Sequence, residues 1–266
     1  MKTKLFNPDA SFLLRIKKYL HVSTIVIFVL LALFLLYAIV LSMISSTSYV
    51  KTINKAYSDD STTLVSGKNL ISSGLHSEEL FLEARLAMLT EDSITLSIDL
   101  TDSLIRLEMK GVVVHTARIS KIQVSRIFRY LNYQTKDALF GKPFTTGQTI
   151  ATIPKTEYLL KKVSADSLIQ PGERLPDTTH EKAICFLLHL DKNIMIDIRQ
   201  SGCANDDAYQ LYAMRLKRDK YSEVLKGLLK PAVPKYSPVI GIELAKNDAR
   251  TIYKALPDKP RLALRL

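Results

Sequence analysis

The sequence predicts an α+β protein: an apolar N-terminal transmembrane helix, then a strand-rich domain with added helices. Three observations carry this. The run from residue 22 to 44 holds no charge and is long enough to span a bilayer core, which takes roughly twenty apolar residues. From residue 93 the apolar positions recur with period two, the signature of half-buried strands. Around residues 205–230 and 247–256 the spacing becomes helical.

The first 21 residues form a short basic tail, with Lys2, Lys4, Arg15, Lys17 and Lys18 against Asp9. Positive flanks stay on the cytoplasmic side, which sends everything after Ser45 across the membrane. A cleaved signal peptide is the alternative; its apolar core covers only about 7–15 residues. The run here is longer and starts about twenty residues in, which favours an uncleaved anchor. The Ser-rich exit (Ser42, Ser45, Ser46, Ser48) is the feature that would suit cleavage.

About 220 residues follow the anchor, enough for one domain and a tether. The chain carries 37 Lys and Arg against 26 Asp and Glu. A basic balance suits polyanions such as nucleic acid, acidic lipid or an anionic wall polymer; the expected sidedness argues against nucleic acid, and a merely soluble surface of mixed sign is preferred over any specific polyanion site. Two cysteines occur, Cys185 and Cys203; a disulfide, two free thiols and one reactive thiol all remain open. No Cys/His cluster has metal-ligand spacing, no Gly-rich phosphate loop is present, and neither metal nor cofactor is expected.

Residues 45–75 read as a tether, partly helical near the membrane, and 76–266 as the outer domain. Ser77 is a candidate cap for an amphipathic helix to Leu89. The stretches 93–100, 103–109 and 112–119 alternate, with Lys110-Gly111 as a turn, and predict a three-stranded meander. Residues 122–131 read as a short helix. Residues 142–156 read as a loop turning at Pro143 and Gly147, 158–163 as a strand, and 166–180 as a loop. Residues 182–190 and 193–200, split by Asp191-Lys192, predict a hairpin with Ile194, Ile196 and Ile198 on one face and Met195 and Asp197 on the other. Asn205 is the expected cap of the helix 205–230, stopped by Pro231 and Pro234; Arg215, Lys217, Arg218 and Lys220 make it basic. A strand at 237–244, a helix at 247–256 capped by Asn247, and a strand at 261–266 complete the chain.

Two stretches resemble the catalytic domain of the L,D-transpeptidases, enzymes that crosslink or anchor to peptidoglycan. The opening SIDLTDSLIRLEMKGVVVHTARIS is similar to that family's first meander. The closing IGIELAKNDARTIYKALPDKPRLALRL resembles its final signature, in which a Ser-His-Gly-Cys run precedes a helix with an Asp-Ala pair and a Tyr, then a last strand. The offset from Gly241 to Asp248-Ala249 equals the family's offset from its Cys to that pair. The resemblance implies the family's fold over residues 93–266 and a wall peptide or envelope protein as partner.

In this register Gly241 stands where the resemblance would put the nucleophilic Cys, and Asp197 where it would put the upstream His. Glu243 is the third degenerate pocket position. Glycine has no side chain to attack a carbonyl, and a thiol needs a neighbouring base. The expected protein is a non-catalytic, single-pass protein of the inner membrane of a diderm bacterium, with a periplasmic domain. A second register takes Ser201-Gly202-Cys203 as the signature, with Cys203 as nucleophile and His189 as general base of an active transpeptidase or carboxypeptidase. Its spacing is three residues short, and the first register is preferred. A third expectation is a structural subunit of a secretion or pilus assembly, packing through the anchor and the helix 205–230.

Overall fold

The computed structural model describes residues 10–58, 71–155, 182–229 and 234–266. The expected strand at 158–163, loop at 166–180, and most of the Pro231–Pro234 stop lie outside the described residues. The domain is α+β: eight strands close into a barrel in the order β1-β2-β3-β7-β6-β5-β4-β8. They are β1 (Thr95–Asp99), β2 (Leu104–Met109), β3 (Val112–Val124), β4 (Phe144–Ala151), β5 (Cys185–Leu190), β6 (Met195–Gln200), β7 (Val239–Leu244) and β8 (Arg261–Arg265). The helices are α1 (Ala10–Ser58), α2 (Ile71–Ala87), α3 (Tyr133–Phe140), α4 (Asp207–Leu229) and α5 (Lys246–Ala255). Neighbouring strands run antiparallel except β1 with β8 and β6 with β7.

The expected meander is present. Its turn is Lys110-Gly111, with φ of 51° and 80°. A two-residue hairpin loop with positive φ at both positions matches the twist of its strands, and glycine takes the second position without strain. Any Cβ there would also lie 2.3 Å from Leu89 Cδ2.

Two elements differ from expectation. The helix expected over 122–131 is strand as far as Val124, followed by a 3-10 turn at Arg126–Tyr130. β3 pairs with β2 in its first half and β7 in its second, with a register shift between Ile119 and Lys121. Such an irregularity bends a strand, so tertiary pairing overrides the local helical spacing. The loop expected over 142–156 contains β4, which pairs with both β5 and β8. Its Gly147 lies in a register shift between Thr146 and Thr149; the glycine marks a bulge rather than a turn.

The caps also differ. Ser77 lies inside α2, where its hydroxyl donates to Gly74 O at 2.9 Å. Asp206, not Asn205, caps α4: its Oδ1 accepts from Ala208 N at 2.8 Å and Tyr209 N at 3.3 Å, while Oδ2 accepts from Ala183 N at 2.8 Å. Asn205 belongs to a 3-10 turn before it. α5 starts at Lys246 after Ala245, without a side-chain cap.

The interior holds Ile98, Ile105, Phe144, Phe186, Ile194, Ile196, Ile198, Ile240 and Leu262, all buried. Both ends are closed. At one end lie the β5–β6 turn, the entry to β7 and the chain after β3. The last turns of α1 lie against it: Tyr49 donates to Lys192 O at 3.0 Å and its ring meets Tyr236. Ile53 joins the core, and Asn54 Oδ1 accepts from Thr135 Oγ1 at 2.8 Å. At the other end α5 contributes Ala249, Ile252 and Tyr253, whose ring meets Phe186.

α1 is one continuous helix, and among the described residues it alone is long and apolar enough to cross a membrane. Its 49 residues rise about 1.5 Å each, far more than a bilayer core of about 30 Å. The surplus, residues 45–58, is helical and packed on the barrel, where the sequence reading begins a tether.

Candidate functional site

Alternation along β6 and β7 divides their side chains. Ile196, Ile198, Ile240 and Ile242 enter the core. Met195, Asp197 and Arg199 on β6, and Val239, Gly241 and Glu243 on β7, take the outer face. The parallel register pairs Asp197 with Gly241 and Arg199 with Glu243. β5 extends these rows with Leu187 and Cys185, and β3 with Gln123 and Lys121. Thus Asp197, Gly241 and Glu243 do share one patch of the outer wall.

They do not line an open pocket there. Asp197 is 2% exposed. Its Oδ2 accepts from Arg199 Nε at 2.7 Å and from Nη2, and its Oδ1 accepts from Tyr212 at 2.8 Å. Tyr212 sits on α4, which lies over this wall and packs through Tyr209, Tyr212 and Leu216. Burial, and then the Asp197 charge, push the Tyr212 phenol well above its ordinary pKa, so it donates at all physiological pH. Gly241 is buried as well, and a Cβ built on it would stand 3.4 Å from Gln123 Cβ. The polar edge left open consists of Lys121 and Gln123, both exposed, beside half-buried Glu243 and Arg199.

The structure does not bring Cys203 and His189 together. Cys203 follows the end of β6 and packs with Cys185, Leu187 and Tyr212. Cys185 opens β5 and lies in the same buried cluster as Cys203. His189 lies four residues further along β5, opposite Met195. Four strand residues cover about 13 Å, whereas a general base must come within about 3 Å of its proton or act through one water.

The electrostatics run the same way. Both thiols are free and buried. Burial raises the pKa of each, which leaves little thiolate at neutral pH. Burial lowers that of His189, with Asp219 opposing, and His189 Nε2 has no hydrogen-bond partner. No group of three His, Cys, Asp or Glu among the described residues is placed to hold a metal ion.

Sequence reasoning missed three members of the site. Arg199 had a signal, since positions 197 and 199 of one strand share a face. Tyr212 gave no signal, because its bond to Asp197 depends on where α4 packs. Gln123 was hidden in the segment taken for a helix. Two clefts open elsewhere. One of about 440 Å³ is lined by Thr149, Ile153, Lys155, Tyr253 and Asp258. Another of about 630 Å³ lies between α2, α3 and the end of β8.

Comparisons with protein families, with curated proteins and with solved structures return no match.

Proposed function

We propose that this chain is a membrane-anchored periplasmic protein with an L,D-transpeptidase-like domain that binds peptidoglycan without turning it over. The observation that carries the reading is the register of Asp197 with Gly241 on adjacent parallel strands. The sequence resemblance would put a His and a Cys at these two positions, and adjacency is what a thiol and its base need. A glycine and a carboxylate clamped by Arg199 and Tyr212 supply neither a nucleophile nor a free base.

The continuous α1 supports the anchor, because the helix that carries the apolar run also contributes Ile53 to the core. A domain held this way stays at high effective concentration beside the wall. The row Lys121, Glu243 and Arg199, with Gln123 beside Gly241, presents both charge signs at one edge, which suits the free amines and carboxylates of a wall stem peptide.

Co-sedimentation of the detergent-solubilised full chain with isolated wall sacculi tests this. Lys121→Glu with Gln123→Ala, both at exposed positions, should weaken retention by about tenfold, or 1.4 kcal/mol, with an unchanged melting temperature. Equal retention of the double variant, or no retention of the parent chain, would rule the wall-binding site out.

A further inference from the structure

α4 has two apolar faces. One packs on the barrel through Tyr209, Tyr212 and Leu216. At about 100° per residue, Leu211, Met214, Tyr221 and Leu225 fall on the opposite side. They are 66%, 56%, 69% and 52% exposed. Arg218 lies within this outer stripe, with Arg215 and Lys217 on its flanks, whereas Asp219 and Glu223 fall toward the barrel side. An outward apolar stripe bordered by cations is the pattern of a helix lying in a membrane interface.

The position of α4 agrees. α4 touches α1, and Pro234, five residues beyond the end of α4, accepts a hydrogen bond from Ser45 of α1. Between residues 23 and 44 only Ala38 and Leu41 of α1 are half-buried; the rest of the run is exposed. From residue 38 to Ser45 α1 rises about 10 Å, one helix diameter. α1 therefore leaves the barrel past a layer as thick as α4 before its apolar run stands clear.

We propose that the outer face of α4 rests on the leaflet from which α1 emerges. Leu211, Met214, Tyr221 and Leu225 enter the headgroup boundary, and Arg215, Lys217 and Arg218 meet the phosphates of anionic lipid. This holds the wall carrying Asp197 and Gly241 at a fixed orientation to the membrane, with α4 between them. The inference rests on the reading of α1 as a membrane span and is independent of wall binding.

The chain contains no Trp, so one introduced Trp reports its own surroundings. Leu225→Trp is the probe, Tyr221→Trp a second, and Val112→Trp beside the β2–β3 turn, 67% exposed, the reference. Each full chain is reconstituted into phosphatidylcholine vesicles with and without phosphatidylglycerol, containing lipids brominated near the glycerol. Flotation after alkaline washing reads the anchor separately. The proposal expects both α4 probes to be blue-shifted and to lose most of their emission in anionic vesicles, while Val112→Trp is unaffected. Arg215→Glu, Lys217→Glu and Arg218→Glu combined should abolish the quenching and leave flotation intact.

Quenching at the α4 probes no greater than at Val112→Trp, in chains that float, would overturn the leaflet contact and leave the anchor standing. Quenching that ignores the three charge reversals would overturn the role of the phosphates. Chains that do not float would overturn both readings. Blue-shifted but unquenched probes, with Leu225→Cys crosslinking two copies, would assign the stripe to self-association instead and also overturn the proposal.

Discussion

The Tyr212 hydroxyl donates to Asp197 Oδ1 at 2.8 Å, and so fastens α4 to the barrel wall through a buried carboxylate. Arg199 holds the other oxygen, and the three side chains act as one unit. A hydrogen bond to a charged group contributes about 1.5–3 kcal/mol, so Tyr212→Phe should lower unfolding stability by that amount. Asp197→Ala should cost more, about 3–5 kcal/mol, because it strands a partly buried Arg199. Chemical denaturation of the two single variants and the double should show a coupling term; strictly additive losses would contradict a shared network.

Asp206 caps α4 and also ties it to Ala183 ahead of β5. These backbone hydrogen bonds, Ala183 foremost, hold its carboxyl below its ordinary pKa. The contribution is therefore present above the unfolded value, about 3.9, and fades as pH falls through the lower folded value. Asp206→Ala should cost about 1–2 kcal/mol near neutrality. Its deficit should shrink as the pH drops through the acid range, as read by denaturation at several pH values.

The glycines differ in what they permit. Gly111→Ala forces a Cβ onto a residue at φ 80° and against Leu89, and should cost about 1–2 kcal/mol. Gly241→Ala meets only Gln123, with Cβ at 3.4 Å, Oε1 at 3.6 Å and the backbone O at 3.8 Å, all ordinary contact distances. Its effect should stay within about 1 kcal/mol. Thermal melts of both variants check the contrast. A near-neutral change at Gly241 means that its lack of a side chain is not a demand of the fold.

Neither thiol should react while the domain is folded, since both are buried and protonated. Mass spectrometry after a brief pulse of an alkylating reagent should find Cys185 and Cys203 unmodified, and both modified in denaturant. Rapid native labelling of Cys203 would mark it as an activated nucleophile.

Much of the barrel is legible in the sequence, because strands with one face on a core write their alternation plainly. The meander from Thr95, the hairpin across Asp191-Lys192, and β7 to β8 are all of this kind. The failures have physical causes. β3 beyond Arg118 changes partner from β2 to β7, and no local pattern records a partner. β4 carries Gly147 in a bulge, and a bulge glycine looks like a turn glycine in a sequence. Placing Asp197 and Gly241 on one face follows from period two and needs no more. The cover over them depends on where α4 packs, which its sequence leaves ambiguous because both of its sides carry apolar residues.

The most direct test incubates the full chain in lipid nanodiscs with sacculi and free tetrapeptide stems, then reads the stem peptides by mass spectrometry. The account predicts protein retained on the sacculi, with no new crosslink, no released terminal residue and no acylated cysteine. Turnover that disappears in Cys203→Ser or His189→Ala would contradict it, and would return the chemistry to a pair that the fold holds apart.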